Sequence, residues 1–320
     1  MDVPLSLSDP KNCVRATPQS RCLADYSILK EVGEGSFSTV YFAKEKEGAK
    51  KEVALKICMK KLILKKKMVA YIHREKESLV LLNREENVHP AIVTLFATFH
   101  DAESLYFVLS YAKYGDLLTI IEKQPEKRLN VDDSRYYAAS LFSALVHIHS
   151  LGIIHRDVKP ENLLVKEDGK IVLSDFGSSK FLKDYEKEEG GGAGESGDTQ
   201  RRRSFVGTAH FVSPELLTGS KMGPYSDFWA FAVTLFFFLA GEHPFDDPSE
   251  YLIFRRIQDL LYKFPENLNF DEDAKNLIER ILVIDTNDRL SPTDLQNHRF
   301  FESIDFSKIS EIEPPKIYLL

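Results

Sequence analysis

Two short polar segments of the chain hold side chains that could carry out chemistry. The first reads HRDVKPEN (155–162) and contains Asp157, Lys159 and Asn162, and the second reads DFG and begins with Asp175. Asp157 supplies a carboxylate that could orient an attacking hydroxyl group and accept its proton, and Lys159 supplies a cation that could offset charge in the transition state. Asn162 and Asp175 supply oxygen atoms, which are the ligands that Mg²⁺ prefers. Together these groups meet the needs of phosphoryl transfer from a nucleoside triphosphate to a hydroxyl group.

A glycine-rich segment lies nearer the N-terminus, between two runs that favour β-strands. It reads GEGSFSTV (33–40), and its backbone N–H groups could close over phosphates. Ser38 stands where the usual pattern has its third glycine. By itself, therefore, the segment is equally consistent with an ordinary hairpin turn.

A lysine and a glutamate complete the candidate phosphate site. Lys56 belongs to the next predicted strand, in the sequence VALK. Glu75 falls on the apolar face of a helix predicted over residues 68–83, between Ile72 and Leu79. An acidic side chain on such a face is costly unless a cation pairs with it, and an ion pair with Lys56 would hold the ammonium against the nucleotide phosphates. The alternative is an incidental surface lysine and an unrelated glutamate.

These segments need two kinds of surrounding structure. From Tyr26 the chain runs through β-rich stretches separated by turns or charged residues, which predicts an antiparallel sheet. From about Leu117 the pattern is mainly helical, apart from two short strands around an Asp168–Gly169 turn. The apolar stretch Trp229–Ala240 is shorter than the roughly 18 residues that a membrane span requires, so it predicts a buried helix. Residues 183–203 are acidic, glycine-rich and then basic, which predicts a mobile surface loop.

Composition excludes several classes of protein. The chain has 320 residues, of which 43% are hydrophobic, so it can form a large core and is not of disordered type. Its net charge of -7 argues against a dedicated nucleic-acid binder. Three cysteines without paired spacing favour a reducing compartment, and the N-terminus shows no signal peptide. We therefore expect an intracellular protein, in the cytoplasm and also the nucleus, that contacts neither nucleic acid nor a membrane directly.

The order of these motifs resembles the protein kinases. Lys159, together with Thr208 in GTAH, resembles the serine/threonine kinases in particular. The segment SPE (213–215) stands where kinases carry APE, and Arg289 is then the expected buried partner of Glu215. The resemblance implies an α+β, bilobal protein kinase fold, with a small antiparallel-sheet lobe holding one key helix and a larger, mainly helical lobe. It also implies ATP and magnesium as cofactors.

The kinase resemblance assigns boundaries and nucleotide contacts. It implies a disordered N-terminal extension over 1–25, a kinase domain over 26–306 and a C-terminal tail over 307–320. Within the domain, the small lobe covers about 26–109, the linker 110–112 and the large lobe 113–306. Adenine should lie against the linker, with Leu109 bordering an inner pocket. The residues expected to contact ATP are Val32, Gly33, Glu34, Gly35, Ser36, Phe37, Ser38, Val40, Ala54, Lys56, Ser110, Tyr111, Ala112, Asp116, Glu161, Leu164 and Asp175.

A narrower resemblance is to the 3-phosphoinositide-dependent protein kinases of the AGC group. It rests on GEGSFSTV, LYFVLSYAKYGDLL, SFVGTAHFVSPELLT and EYLIFRRI, and it covers residues 26–320. The resemblance implies a signal-transduction kinase that phosphorylates the activation loops of other AGC kinases. The pleckstrin-homology module of that family is not among these residues, so recruitment by phosphoinositides is not inferred.

The same resemblance implies a docking groove on the small lobe, which takes a C-terminal aromatic motif of a substrate kinase. Lys60 and Lys76 would face the phosphate or acidic side chain next to that motif. The alternative is that the lysine-rich run 60–67 is a solvated helix face. The positions that match the groove are Lys60, Ile63, Leu64, Val69, Ile72, His73, Lys76, Thr98, His100, Leu105 and Phe107.

Ser204, in RRRSFVGT, resembles the activation-loop site that this family phosphorylates. The resemblance implies autophosphorylation there, within one molecule or between two, with Arg74, Arg156 and Lys180 as the cations that engage the phosphate. The alternative is that the preceding arginines make Ser204 a target of another, basic-directed kinase.

Two other functions stay open. The chain could be an AGC-type kinase with different substrates, or a scaffold that keeps the fold without turnover. All five residues that phosphoryl transfer requires are present, which favours an active enzyme: Lys56, Glu75, Asp157, Asn162 and Asp175.

Overall fold

The computed structural model of the chain describes residues 21–185, 209–220 and 222–317. In the N-terminal part, the strands are β1 (Tyr26–Glu34), β2 (Ser38–Glu45), β3 (Glu52–Met59), β4 (Leu95–His100) and β5 (Ser104–Ser110). They form one sheet in the order β1-β2-β3-β5-β4, and each neighbouring pair is antiparallel. The predicted antiparallel sheet is therefore confirmed.

Strand β3 shows how the sheet places a catalytic candidate. Successive side chains of a strand point to opposite faces. Leu55 and Ile57 are buried in a small core on one face, whereas Ala54 and Lys56 lie on the other. In the sheet register Lys56 stands opposite Val40 of β2. The period of two thus brings Lys56, Ala54 and Val40 to a common face.

Two helices follow β3. They are α1 (Lys60–Lys65) and α2 (Val69–Leu82), and α2 confirms the helix predicted over 68–83. The apolar period of this helix predicts a buried face of Val69, Ile72, Leu79 and Leu82. The last three are buried, whereas Val69 in the first turn is 42% exposed, so the prediction is wrong at that position. The helix ends at Asn83, whose side-chain Nδ2 donates to the backbone oxygen of Leu79 at 2.8 Å and so satisfies one of the last carbonyl groups.

The larger lobe is mainly helical, as expected. Its helices are α3 (Leu117–Glu122), α4 (Val131–Ser150), α5 (Pro214–Thr218), α6 (Pro224–Ala240), α7 (Glu250–Gln258), α8 (Glu272–Ile281) and α9 (Pro292–Gln296). Five of them begin after a residue whose side chain accepts a backbone N–H of the first turn. These N-caps are Asp116, Asn130, Ser249, Asp271 and Ser291.

Short strands connect the helices near the candidate active site. They are β6 (Ile153–Ile154), β7 (Leu163–Val165), β8 (Ile171–Leu173) and β9 (Lys180–Phe181). The antiparallel pair β7–β8 confirms the two strands predicted around the Asp168–Gly169 turn, and Gly169 has a φ of 82°. Strand β6 pairs with β9, so the segments that precede and follow the two polar motifs are held together.

Helix α6 forms the centre of the large lobe. Trp229, Phe231 and Phe236 in this helix are fully buried, which confirms the buried helix predicted from this apolar stretch. The helix ends at Gly241, whose φ of 75° and closeness to the backbone oxygen of Lys127 leave no room for a side chain. In the described part of the chain, no helix is long and apolar enough to cross a membrane.

The two ends of the described chain pack against the lobes. Residues 21–25 belong to the predicted disordered extension, yet they have defined structure: Cys22 is buried and the Arg21 guanidinium donates to the Tyr26 hydroxyl at 2.8 Å. The extension predicted over 1–25 is therefore too long by these residues. In the tail, Ile317 is buried and its backbone oxygen accepts a hydrogen bond from Gln124. Residues 1–20, most of the predicted loop 183–203, Ser204 and Thr208 lie outside the described residues.

Candidate active site

The predicted ion pair between strand β3 and helix α2 is present. The Lys56 Nζ lies 2.5 Å from the Glu75 Oε1, and both side chains are largely buried. Burial disfavours the charged form of Lys56, but the carboxylates of Glu75 and Asp175 outweigh that effect and raise the pKa of Lys56. The Lys56 ammonium therefore stays charged in the cleft and can bind an anionic ligand.

The segment after β6 holds the candidate base. The Asp157 carboxylate is contacted on both oxygens: the Lys159 Nζ lies 3.0 Å from Oδ1, and the Asn162 Nδ2 donates to Oδ2 at 3.0 Å. Asn162 also donates to the backbone oxygen of Asp157 at 2.7 Å. These contacts fix the orientation of the Asp157 carboxylate, as a group that positions a hydroxyl requires.

A buried aspartate of helix α6 anchors that segment from below. The Asp227 carboxylate accepts the backbone N–H groups of His155 and Arg156 and the Nε2 of His149, each at 2.8 Å. Arg156 has a φ of 70°, a strained conformation for a residue with a side chain. Burial alone would raise the pKa of Asp227, but its hydrogen bonds from His149 and the backbone hold it below the ordinary value.

No motif in the sequence assigns this anchoring role to Asp227. The available signal was an acidic residue at the start of an otherwise apolar helix, which needs buried donors. Which donors it finds depends on contacts across more than seventy residues, and the sequence pattern does not show them.

The DFG segment adopts an unusual backbone conformation. Asp175 has a φ of 56°, and its Oδ1 accepts the backbone N–H of Gly177 at 3.3 Å and the hydroxyl of Tyr71 at 2.5 Å. Burial alone would raise the pKa of Asp175, but the Lys56 ammonium and the Tyr71 hydroxyl hold it below its ordinary value. Phe176 is fully buried with its ring edge-on to His155. No sequence motif marks Tyr71 as part of this site.

The two predicted metal ligands fit a magnesium ion by their chemistry. Asp175 offers carboxylate oxygens, and Asn162 directs its amide nitrogen to Asp157, which leaves its amide oxygen as the remaining acceptor. Among the described residues, no three His, Cys, Asp or Glu side chains cluster closely enough to hold a metal alone. Mg²⁺ is commonly bound by one or two protein side chains with phosphate oxygens and water as the other ligands. Asn162 and Asp175, with phosphate oxygens and water as further ligands, would therefore fit a Mg²⁺ ion.

The glycine-rich segment forms the turn between β1 and β2. The Gly35 N–H donates to the Ser38 backbone oxygen at 2.7 Å. A Cβ atom at position 35 would lie 3.0 Å from the Ser38 hydroxyl oxygen and 3.3 Å from its backbone oxygen, so a larger residue there would press on Ser38 and disturb the turn. Phe37 is buried, and its ring meets Tyr71 edge-on at 5.6 Å between centroids. The turn is thus folded towards α2.

A few of the other predicted ATP contacts lie near the linker. Ala54 pairs with Leu109 in the sheet register, and Asp116 forms a β-bridge with Leu164. The linker residue Tyr111 stacks on Phe42, with ring centroids 4.3 Å apart. The Tyr111 ring is therefore engaged by the small lobe, and the backbone of the linker is the part that can meet a ligand.

The predicted docking positions divide into a buried set and an exposed set. Ile63, Ile72 and Phe107 belong to the hydrophobic core, so they can only form the floor of a groove. Leu64 and Val69 are 68% and 42% exposed. Of the remaining positions, Thr98, Leu105 and Lys60 are partly buried, and His73, Lys76 and His100 are exposed.

Lys60 does not project freely into solvent. Its Nζ donates to the backbone oxygen of Asp101, whereas Lys61, Lys65, Lys66 and Lys67 are exposed. Most lysines of this run are therefore exposed to solvent, while Ile63 within it is buried. Both the docking groove and a solvated helix face are consistent with this exposure.

The predicted partner of Glu215 is also present. Arg289 forms a two-pronged ion pair with Glu215, with Nη2–Oε2 at 2.8 Å and Nη1–Oε1 at 3.0 Å, and both side chains are buried. The Ser226 hydroxyl donates to the same carboxylate at 2.8 Å. The pair joins helix α5 to the segment before α9 and has a structural role.

Comparison with known proteins gives a consistent result. Residues 26–301 match the family described as protein kinase domain. The chain is 40% identical over 304 residues to serine/threonine-protein kinase ksg1 of Schizosaccharomyces pombe, covering 94% of this chain and 50% of that one. It is 40% identical over 306 residues to two human proteins, putative 3-phosphoinositide-dependent protein kinase 2 and 3-phosphoinositide-dependent protein kinase 1. The match covers 94% of this chain in both cases, with 72% of the first and 51% of the second. The chain thus spans about half the length of most of these relatives.

Proposed function

The chain belongs to the protein kinase family, among the serine/threonine kinases similar to 3-phosphoinositide-dependent protein kinase, and we propose that it transfers the γ-phosphoryl group of ATP to serine and threonine hydroxyls of proteins. The observation that carries this proposal is the Asp157 carboxylate, held on its two oxygens by Lys159 and Asn162. A carboxylate fixed in this way supports orientation of an attacking hydroxyl.

The residues of the site divide the work of the reaction. Asp157 accepts the proton of the substrate hydroxyl, and Lys159 beside it offsets negative charge on the transferred group. Lys56, held by Glu75, binds the phosphates that stay on the nucleotide. Asn162 and Asp175 would hold magnesium, which neutralises the triphosphate when it is bound.

We propose that the substrates are activation loops of other AGC-type kinases. The similarity to 3-phosphoinositide-dependent protein kinases supports this choice. The test is incubation with a full-length, catalytically inactive AGC kinase, ATP and magnesium, followed by mapping of the phosphorylated residue. A variant of that substrate with alanine at the activation-loop site is the control.

Phosphate on the activation-loop residue of the first substrate, and none on the variant, supports the proposal. Phosphate at other sites on both supports an AGC-like kinase with other substrates. A complete lack of phosphate, also on a mixed peptide array, supports an inactive scaffold.

We also propose that substrates dock in the groove between α1, α2 and β5. The exposed Leu64 and Val69 would form its rim, and the buried Ile72 and Phe107 would form its floor. Exposed apolar residues over a buried apolar floor favour an amphipathic or aromatic peptide, and the exposed Lys76 supports an acidic or phosphorylated neighbour.

The docking proposal has a matched control on the same helix. Val69→Trp should fill the rim and block phosphorylation of full-length substrates while sparing short peptides. Val80, 45% exposed and three turns further along α2, gives the control Val80→Trp. Equal phosphorylation of full-length substrates by both variants would contradict the docking proposal. A peptide with an F-x-x-F-acid-F/Y pattern should raise activity toward a short substrate.

Autophosphorylation of Ser204 is a separate proposal. Ser204 lies outside the described residues, but Arg156 beside the candidate base has an Nε that is buried and without a hydrogen-bond partner among the described residues. A phosphate carries about -1.5 to -2 charges and would satisfy such a group. Intact-mass analysis of enzyme made in bacteria tests this: an active protein without phosphate on Ser204 contradicts self-activation.

We place the protein in the cytoplasm as a further proposal. Its support is the sequence pattern of unpaired cysteines, of which Cys22 and Cys58 are free and buried. Fractionation with an antibody against the endogenous protein tests this location.

A further inference from the structure

One face of helix α2 carries three polar side chains that all reach the active site. Tyr71, Glu75 and Ser78 follow one another at steps of four and three residues, which places them on a single stripe of the helix. Glu75 pairs with Lys56, as described above. The other two members of the stripe contact a different target, the segment from Asp175 to Ser179.

The stripe holds that segment at both of its ends. The Tyr71 hydroxyl donates to the Asp175 Oδ1 at 2.5 Å. At the other end, the Ser78 and Ser179 hydroxyls are 2.8 Å apart and buried, and the Ser179 hydroxyl donates to the backbone oxygen of Phe176 at 2.6 Å. A buried pair of hydroxyls that satisfies both partners fixes the spacing of the two elements.

The Tyr71 ring adds a steric contact between these ends. A side chain at position 177 would overlap the Tyr71 ring, so the ring lies directly on the Gly177 backbone. Phe37 of the glycine-rich turn also contacts the ring, edge to face. The Tyr71 ring thus packs against the Gly177 backbone and against the glycine-rich turn, which restricts the position of its hydroxyl.

The hydrogen bonds at Asp175 have a direction that matters for a metal ligand. The Tyr71 hydroxyl and the Gly177 N–H both donate their hydrogen bonds to Oδ1 of Asp175. The second oxygen, Oδ2, is the one left to meet a cation. Carboxylates that bind metals are commonly oriented by such outer hydrogen bonds, and removing one typically costs 10–100-fold in metal affinity or activity.

We propose that Tyr71 and Ser78 are positioning residues that fasten the segment from Asp175 to Ser179 to helix α2. The helix position that pairs Glu75 with Lys56 is then also the position that orients Asp175 towards its metal ion. The catalytic consequence rests on the proposed kinase function, whereas the attachment itself does not.

Two substitutions separate the hydroxyl contacts from packing. Tyr71→Phe keeps the ring on Gly177 and removes the hydrogen bond to Asp175, and Ser78→Ala removes the bond to Ser179. Tyr251→Phe, at a tyrosine that is 66% exposed on helix α7, is the matched control. The wild type, these three variants and the double variant Tyr71→Phe/Ser78→Ala are compared as full chains, with circular dichroism to confirm folding.

The first readout is backbone hydrogen exchange of the ligand-free protein over residues 174–181. Tyr71→Phe and Ser78→Ala should each speed exchange there by about tenfold, and the double variant by less than the product, since both act on one segment. The second readout is the Mg²⁺ concentration at half-maximal turnover of a short peptide with saturating ATP. Tyr71→Phe should raise it by about tenfold without changing the KM for the peptide.

Each alternative gives a distinct result. Unchanged exchange in both variants overturns the attachment, whether or not the protein has kinase activity. A lower Mg²⁺ requirement in Tyr71→Phe overturns the positioning role, because it shows that the hydroxyl competes with the cation for Asp175. Absence of turnover in the wild type contradicts the proposed function, while the exchange measurement still decides the attachment.

Discussion

Replacement of Asp227 by alanine should both destabilise the protein and disable it. The Asp227 carboxylate is 1% exposed and accepts the backbone N–H groups of His155 and Arg156. Alanine would leave these two donors buried without partners, at about 1–3 kcal/mol each, so we expect a loss of roughly 2–6 kcal/mol. That is a large part of the roughly 5–15 kcal/mol of a folded domain.

The activity of Asp227→Ala should fall by more than the loss of folded protein explains. Arg156 adopts its strained φ of 70° next to the proposed base Asp157, and the Asp227 carboxylate accepts the N–H of this residue. Without it the segment relaxes and Asp157 moves. A displacement of about 1 Å is enough to cost roughly 10²-fold, so kcat should fall about that much while the KM for ATP changes little.

The assay is denaturant unfolding followed by circular dichroism, with kinetics measured where the variant is folded. Asp227→Asn is the conservative variant: it keeps the shape and one acceptor, so its loss should be smaller. The exposed Asp132, on helix α4, gives the control Asp132→Ala, which should stay within about 0.5 kcal/mol of the wild type. If Asp227→Ala is as stable as that control, the anchoring argument is refuted.

The stability that the Asp227 carboxylate contributes should depend on pH. Its folded-state pKa lies below the ordinary value, so the stability it contributes is present above the unfolded pKa of about 3.9 and is lost as the pH falls through the folded pKa. The stability gap between wild type and Asp227→Asn should therefore be constant near neutral pH. It should narrow only below about pH 4.

Three further substitutions test the remaining contacts. Asp157→Ala should lower kcat by about 10²–10⁴-fold in steady-state assays and leave the melting temperature nearly unchanged, because it removes a base that the fold does not need; near-normal kcat would remove Asp157 from the mechanism. Glu75→Gln should weaken the hold on Lys56 and cost roughly 10²-fold in kcat/KM for ATP, whereas Glu77→Gln, exposed on the same helix, should cost nothing measurable. Arg289→Met should leave a buried carboxylate unpaired and destabilise the protein by about 3–5 kcal/mol in denaturant titration; a loss below 1 kcal/mol would contradict that.

The parts of the site that the sequence predicted are those with a local or energetic signature. The Lys56–Glu75 pair followed from an acid on an apolar helix face, since such an acid must find a cation. The β7–β8 hairpin followed from its turn residues, and the buried helix α6 from its apolar run. In each case a short stretch of sequence carries the constraint, so periodicity and turn chemistry were enough.

The parts that it did not predict depend on how distant segments close on each other. Tyr71 has no pattern that marks it, because a tyrosine among apolar residues on a helix usually packs into a core. Its hydroxyl acquires a role only when helix α2 meets Asp175, more than one hundred residues later. Cys22 likewise lies in a stretch without periodicity, and only the folded sheet shows that it is buried.

Helix α2 connects the proposed docking groove to both parts of the phosphate site. Its first turn carries the exposed Val69, which we propose for the rim of the groove, and its polar stripe reaches Lys56 and Asp175. A docked peptide can shift the helix only by its differential affinity for two positions of α2. Because both the lysine and the metal ligand are attached to one rigid element, such a shift must act on ATP binding and metal binding together. By thermodynamic reciprocity, magnesium and ATP must then strengthen peptide docking by the same factor.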